Sequence, residues 1–264
     1  MTDYSHFLPD IIRAVIAAGK AVLEVYETSF EVLQKSDHSP LTKADTESNR
    51  ILCEALRTTA YPIISEEGDQ MAYAVRSQWP VYWLIDPLDG TKEFVHRNGE
   101  FTVNVALIVE GLPVLGVVYA PVSDELYAGI NGRGWWYMET ASGLRPEALT
   151  DLSAFRGIPA AVSDVYRIVI SRSHTDANTA AHIETRRAEK GGVVTVQAGS
   201  SMKLCLVAHG KADEYPRFGP TMEWDIAAGH AVLLGARKNV YNHPGGDVLQ
   251  YNKLSLTNGP FIAR

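Results

Sequence analysis

Val81-Tyr82-Trp83-Leu84-Ile85-Asp86-Pro87-Leu88-Asp89-Gly90-Thr91 is an apolar run that ends on two carboxylates. Its length and aromatic and β-branched content predict a buried strand. Burying a single unpaired carboxylate costs several kcal/mol, so two of them at the end of such a strand point to a cation held there. Carboxylate and backbone oxygens are hard ligands, which favours Mg²⁺ over zinc or copper. Pro87 removes one backbone N–H and stiffens the turn, Gly90 lets the backbone come close to a ligand, and Thr91 adds a hydroxyl. The stretch reads as a site for metal-assisted chemistry on phosphate.

Working outward, residues 4–28 place Phe7, Leu8, Ile11, Ile12, Val15, Ala18, Val22, Val25 and Tyr26 at helical spacing. Ser39-Pro40 breaks that pattern, and a second helix is predicted from Asp45 to about Ala60. Pro62-Ile63-Ile64-Ser65 reads as a strand ending at Glu66-Glu67-Gly68. From Thr102 to Met138 turn signals at Glu110-Gly111, Pro121, Asn131-Gly132 and Gly134 divide strand-like text, predicting an antiparallel meander. The stretch 140–165 has no sustained period and marks the expected boundary between subdomains 1–150 and 151–264. Beyond it come a strand (Arg167–Ser171), a helix (about 176–190) and a strand (Val193–Gln197). A helix from Ser200 to His209 stops at Gly210, a strand lies near Asp213–Arg217, and a helix runs from Asp225 to Leu234. Helices and strands mix without regular alternation, which predicts a layered α/β or α+β sandwich.

The chain has 264 residues, 46% of them hydrophobic, with a net charge of −7. That length can bury a substantial core in one large domain or two packed subdomains. The acidic balance argues against a nucleic acid polymer as partner, while a metal and a few local cations can still attract a small anion. No apolar stretch approaches the roughly 20 residues that span a bilayer, and Met1-Thr2-Asp3-Tyr4 does not begin like a signal peptide. Cys53 and Cys205 lack partner spacing and read as buried free thiols. A cytoplasmic protein is expected.

Each remaining acid has an ordinary reading by itself. Asp45 and Asp225 are candidates for helix N-caps, and Glu66-Glu67 for a solvated turn. Together with Asp86 and Asp89 they would supply the oxygens for two metal ions about 4 Å apart, the arrangement that serves in-line displacement at phosphorus. Backbone N–H groups at Gly90 and Thr91 could hold the phosphate oxygens.

Ser65-Glu66-Glu67, Asp86-Pro87-Leu88-Asp89-Gly90-Thr91 and Trp224-Asp225-Ile226-Ala227-Ala228-Gly229 resemble the three metal-site motifs of the inositol monophosphatase superfamily, in the same order along nearly the whole chain. Thr91-Lys92-Glu93-Phe94, the run Arg97 to Asn104, Ser171-Arg172-Ser173-His174, the run Gly199 to Ala208 and Tyr215-Pro216-Arg217-Phe218-Gly219-Pro220 resemble its CysQ-type 3'(2'),5'-bisphosphate nucleotidases. The resemblance implies the αβαβα sandwich of the sugar-phosphatase type. It implies a lithium-sensitive, Mg²⁺-dependent phosphatase of sulfur metabolism that converts adenosine 3',5'-bisphosphate to AMP. Its sulfated relative 3'-phosphoadenylyl sulfate would be a second substrate. Attack by water would be in-line, with two metals and no phosphoenzyme.

By the same resemblance Glu66, Asp86, Asp89, Asp225 and the Leu88 carbonyl would hold Mg²⁺. Thr91, oriented by Asp45, would help Glu66 activate water. Amides near Gly90 and Thr91 would bind the scissile phosphate, with Ser200, Lys203 and Arg217 on the second phosphate and His174 stacked on adenine. Ser200 also reads as a helix N-cap and Lys203 as an exposed helix charge. Trp135, Trp136 and Trp224 read as packing residues, and residues 70–78 carry no assignable role. Related bacterial proteins leave open peripheral association with the inner membrane. The enzyme alternative is an inositol phosphatase or sugar bisphosphatase of the same superfamily, and the alternative of another class is a silent sensor.

Overall fold

α1 (Leu8–Tyr26) forms because Leu8, Ile11, Ile12, Val15, Ala18 and Val22 recur every three or four residues and are buried together, while Pro9 sits in the first turn, where no N–H is needed. This computed structural model describes residues 2–30, 32–34, 40–69, 71–144, 165–172 and 176–264. A pair of two-residue strands, β1 (Leu33–Gln34) and β2 (Pro40–Leu41), leads into α2 (Lys43–Leu56). That helix starts two residues before the predicted Asp45 and ends earlier, in a 3₁₀ turn at Arg57–Thr59.

The predicted first strand is β3 (Ile63–Ser65); a single turn, α3 (Tyr73–Arg76), then leads to β4 (Val81–Asp89). The short α4 (Thr91–Val95) follows. The expected meander is β5 (Thr102–Val109), β6 (Leu112–Ala120), β7 (Glu125–Ile130) and β8 (Gly134–Met138). These strands form one sheet in the order β3-β4-β5-β6-β7-β8, antiparallel except where β3 runs parallel to β4.

The expected subdomain boundary falls largely on residues 145–164, outside the described ones. After it come β9 (Tyr166–Ser171), α5 (Ala177–Lys190), β10 (Val193–Ala198), α6 (Met202–His209), β11 (Tyr215–Arg217) and β12 (Thr221–Met222). α7 (Glu223–Gly235), β13 (Val240–Asn242), β14 (Thr257–Asn258) and β15 (Phe261–Ala263) complete the fold. β10 pairs with β9 in parallel, a bridge from Ile168 to Glu214 sets β9 beside β11, and β15 lies between β11 and β13.

Five layers result. α1 and α2 cover one face of the large sheet over a core that includes Trp83, Ile85, Leu107 and Val117. α7 and α6 cover the other face over Tyr82, Leu84, Ala106 and Val118. The second sheet lies on α6, with Val169 facing the large core, while Ile168 and Ile170 turn to Ile183 of α5 outside it. The fold is therefore the mixed α/β sandwich expected. Trp224 belongs to its core, with Trp135 and Trp136 packed against it, and among the described residues no helix is long and apolar enough to cross a membrane.

α7 is buried on nearly every side because sheet and helices enclose it. Its approach to the sheet depends on two glycines. A Cβ on Gly116 would stand 2.5 Å from the Ala228 carbonyl oxygen, and one on Gly129 would stand 2.4 Å from the Cα of Val232. Both obstacles are backbone, so the helix itself would have to move. Gly129→Ala is expected to cost about 1–3 kcal/mol or more, as overpacking does. A urea titration of the purified variant reads this directly; an unchanged midpoint would mean that the helix can lift at no cost.

Candidate active site

Strand alternation would send residues 86 and 89 to opposite faces of the sheet. The observed register prevents this. Asp86 pairs with Asn104 and Asp89 with Thr102, so Pro87 and Leu88 together lie opposite the single residue Val103. This is a β-bulge, a device that re-aims side chains, and Pro87, which cannot donate to the ladder, occupies it. Asn104 and Thr102 are two apart on β5 and share a face, so Asp86 and Asp89 share it as well. They face α6 and α7, while Leu88 turns into the opposite core. Ser48 Oγ donates to the Pro87 carbonyl at 2.6 Å, and the Leu88 N–H donates to Asp86 Oδ1 at 3.0 Å, which fixes the bulge.

Glu66 follows β3, its N–H on the Ile85 carbonyl at 3.3 Å, at the same end of the sheet. Asp225 enters from α7. It does not cap that helix: it is the third residue, and its Oδ2 accepts the Met222 N–H at 2.8 Å. Asp45 holds the same position in α2. Thr42 is the N-cap there, and Asp45 Oδ2 accepts the Thr42 N–H at 2.8 Å and its hydroxyl at 2.7 Å. The N-cap reading of both acids is thus corrected, because a carboxylate at the third position reaches back to the orphan N–H before the helix. It leaves the second oxygen of each for other partners. Thr91 Oγ1 lies 3.4 Å from Asp45 Oδ1 and 3.3 Å from the Leu88 carbonyl.

The acids act on one another. Burial, then the charges of Glu66, Asp89 and Asp225, holds Asp86 well above the ordinary carboxylate range. Burial and Asp89 do the same to Asp225. Asp89 is pushed up to about 6, mainly by burial, with Lys203 opposing. Asp86 is 1% exposed, whereas Asp89 and Asp225 open partly into a cavity of about 140 Å³. Among the described residues no three His, Cys, Asp or Glu side chains form a ready-made metal cage. Each aspartate is instead tied to a backbone N–H of its own surroundings. This donor set still fits a hard divalent cation. Closely set, proton-seeking carboxylates beside a backbone carbonyl are the groups that such an ion would draw in and neutralise.

The cavity is lined by Asp89, Gly90, Ser200, Lys203, Arg217 and Asp225, so the fold brings these six predicted residues together, while Glu66, Leu88 and Thr91 are not part of its lining. Lys203 is not the exposed helix charge of the alternative reading. It is 6% exposed, donates to the Ser200 carbonyl at 2.5 Å and lies 5.5 Å over the Tyr215 ring. Burial pulls its ammonium down to about 8, with Asp89 opposing. Ser200 is not the N-cap either: α6 begins at Met202, and Ser200 takes φ 39° in the turn before it. Arg217 donates to the Pro220 carbonyl at 3.2 Å and keeps a buried Nε without a partner. His174 lies outside the described residues. The cavity also takes in Lys92, Glu93, Ser171, Tyr215 and Thr221, residues to which the sequence alone gives no role.

Away from the site, Cys205 is buried as expected, whereas Cys53 is only half-buried, with its thiol 3.4 Å from Asn49 Oδ1. Arg76 gives residues 70–78 a structural use: buried, it bonds Asn252 Oδ1 and the Leu254 carbonyl.

Residues 3–256 match the inositol monophosphatase family. The chain is 44% identical over 242 residues to the 3'(2'),5'-bisphosphate nucleotidase CysQ of Salmonella typhimurium, covering 90% of this chain and 91% of that one. The crystal structure of CysQ from Bacteroides thetaiotaomicron superposes with a TM-score of 0.91 at 43% identity, over 99% of this chain and 97% of that one. Inositol monophosphatase from Anabaena superposes at 0.70 with 25% identity, over 99% and 91%. A match in sequence and fold from end to end marks common descent: the chain belongs to the inositol monophosphatase family.

Proposed function

We propose that this protein is a Mg²⁺-dependent phosphatase that removes the 3'-phosphate of adenosine 3',5'-bisphosphate, leaving AMP. 3'-Phosphoadenylyl sulfate is its second substrate, leaving adenylyl sulfate. The observation that carries this reading is one cavity in which Asp89 and Asp225 meet Lys203 and Arg217. A phosphatase for a monophosphate has no need of two cations beyond the scissile group, and a guanidinium matches the geometry of a phosphate dianion. The similarity to bisphosphate nucleotidases supports the same choice.

Glu66, Asp86, Asp89, Asp225 and the Leu88 carbonyl would hold Mg²⁺, in two sites. Bound there, the ions would neutralise phosphate charge and lower the pKa of water. The remaining steps belong to the chain. The amides at Gly90 and Thr91 receive the scissile phosphate, since Gly90 at φ 93° turns its backbone in a way that other residues rarely adopt. Glu66 takes the proton of the attacking water, and Thr91, oriented by Asp45, aligns that water with the P–O bond. Ser200, Lys203 and Arg217 hold the second phosphate, with His174 placed on the adenine. We assign the enzyme to the cytoplasm and to sulfur metabolism, with lithium inhibition expected. The division near residue 150 would put most metal ligands in the first subdomain and the nucleotide contacts in the second.

Phosphate release with Mg²⁺ should favour adenosine 3',5'-bisphosphate over inositol 1-phosphate and fructose 1,6-bisphosphate. Arg217→Ala should raise KM for the nucleotide about tenfold or more while leaving hydrolysis of a simple aryl phosphate near its original rate. Preference for an inositol or sugar phosphate would keep the chemistry and discard the substrate; no release from any of the three would favour the sensor.

A further inference from the structure

Ser201 is 3% exposed, and its N–H and its hydroxyl both reach toward the site. Its N–H donates to Asp89 Oδ2 at 2.6 Å, and its hydroxyl donates to Asn104 Oδ1 at 2.8 Å. Thr102 Oγ1 lies 2.8 Å from the same hydroxyl and 3.3 Å from Ser200 Oγ. A serine has one proton to give. Ser201 gives it to Asn104 and so accepts from Thr102, whose single proton is shared between Ser201 Oγ and the more distant Ser200 Oγ. Thr102 and Asn104 are the β5 residues paired in register with Asp89 and Asp86. One residue back, Ser200 is held at φ 39°, a conformation that costs a non-glycine residue energy, and its carbonyl anchors the ammonium of Lys203. A strained turn persists only where its neighbours fix it, and here the neighbours are Thr102 and Asn104.

We infer that Asn104 and Thr102, acting through Ser201, are positioning residues that lock the Ser200–Ser201 turn. They thereby tie the place of Asp89, a cation ligand, to the place of Lys203, a ligand of the second phosphate. The inference rests on the functional reading above. Asn104 carries one further sign of a role beyond packing. It is 1% exposed, and its Nδ2 has no hydrogen-bond partner. A buried donor left bare is costly, and this one belongs to the residue paired in register with Asp86.

The experiment compares the unsubstituted protein with Ser201→Ala, Asn104→Leu and Thr102→Val. Ser201→Ala keeps the amide to Asp89 and removes only the hydroxyl, and Thr102→Val keeps the shape of a fully buried side chain. The first readout is the rise in Tm on titration with Mg²⁺ or Mn²⁺, which needs no turnover. The second is KM for adenosine 3',5'-bisphosphate against kcat/KM for 4-nitrophenyl phosphate, which lacks a second phosphate. Ser201→Ala and Asn104→Leu should each raise both the half-saturating cation concentration and the nucleotide KM about tenfold. The aryl phosphate should report only the cation change. Thr102→Val should shift both in the same direction by less, and it keeps the test open if Asn104→Leu does not fold. A cation response that shifts without the KM, or a KM that shifts without the cation response, would overturn the coupling, as would no shift in Ser201→Ala. If the unsubstituted protein does not prefer the bisphosphate, the functional reading fails alone, and the cation titration still decides whether Ser201 positions Asp89.

Discussion

Asp89→Ala should reduce turnover roughly 10³-fold or more while the protein remains folded. The carboxylate stands where three demands meet. It shares a face with Asp86 through the bulge, it opens into the cavity beside Lys203, and it takes the Ser201 N–H. Its removal takes away a proposed cation ligand and the charge that keeps Lys203 ionised. Burial makes the ionised group a cost to the native state, so its loss should leave the protein folded. Its carboxyl pKa is raised from 3.8 to about 6, mainly by burial, so the ionised form is disfavoured in the native state without a cation. A raised native pKa stabilises below the unfolded value, and that contribution is lost as pH rises through about 6. The metal-free unsubstituted protein should therefore lose stability relative to Asp89→Ala between about pH 4 and 7. A cation needs the ionised form, so the rise in Tm that Mg²⁺ gives should grow across the same interval and shrink in the variant. Calorimetry with and without Mg²⁺ at pH 5 and pH 8 measures both effects, and turnover in Asp89→Ala close to that of the unsubstituted protein would sink the cation assignment.

Much of this arrangement was legible in the sequence, and the part that was not has physical reasons. Helix period in α1 and turn residues between β5 and β8 report burial and chain reversal, which are local, so those elements appear where expected. The bulge at Pro87-Leu88 was not visible. Proline and glycine announce a turn, but only pairing with β5 shows that Asp86 and Asp89 end on one face. The sequence offers Asp45 and Asp225 as caps because a cap and a third-position acid differ by three residues and carry the same chemistry. Lys203 looks exposed in a helical pattern of eight residues; its burial depends on Tyr215, which comes from another strand. The last three strands, β13 to β15, escaped because each has three residues or fewer and owes its structure to its neighbours.

Thr91→Val should lower kcat about 10²–10⁴-fold, the range that a proton-handling group contributes, and leave KM nearly unchanged. Valine has the shape of threonine without the hydroxyl, so the first turn of α4 and the amides proposed to hold phosphate stay in place. What is lost is the hydroxyl that sits 3.4 Å from Asp45 Oδ1 and 3.3 Å from the Leu88 carbonyl. These distances are long for hydrogen bonds between oxygens, so the hydroxyl is held loosely and can turn toward a water when one is present. Asp45 cannot take its place: it is 1% exposed, and its Oδ2 is committed to Thr42. Thr91→Ser, which keeps the hydroxyl, should recover most of the rate. Asp45→Asn should slow the reaction through the same hydroxyl, so the double variant Asp45→Asn with Thr91→Val should be little slower than Thr91→Val alone. Independent, multiplying losses would show that Asp45 and Thr91 do separate work. A Thr91→Val enzyme as fast as the unsubstituted one would leave Glu66 to activate the water alone.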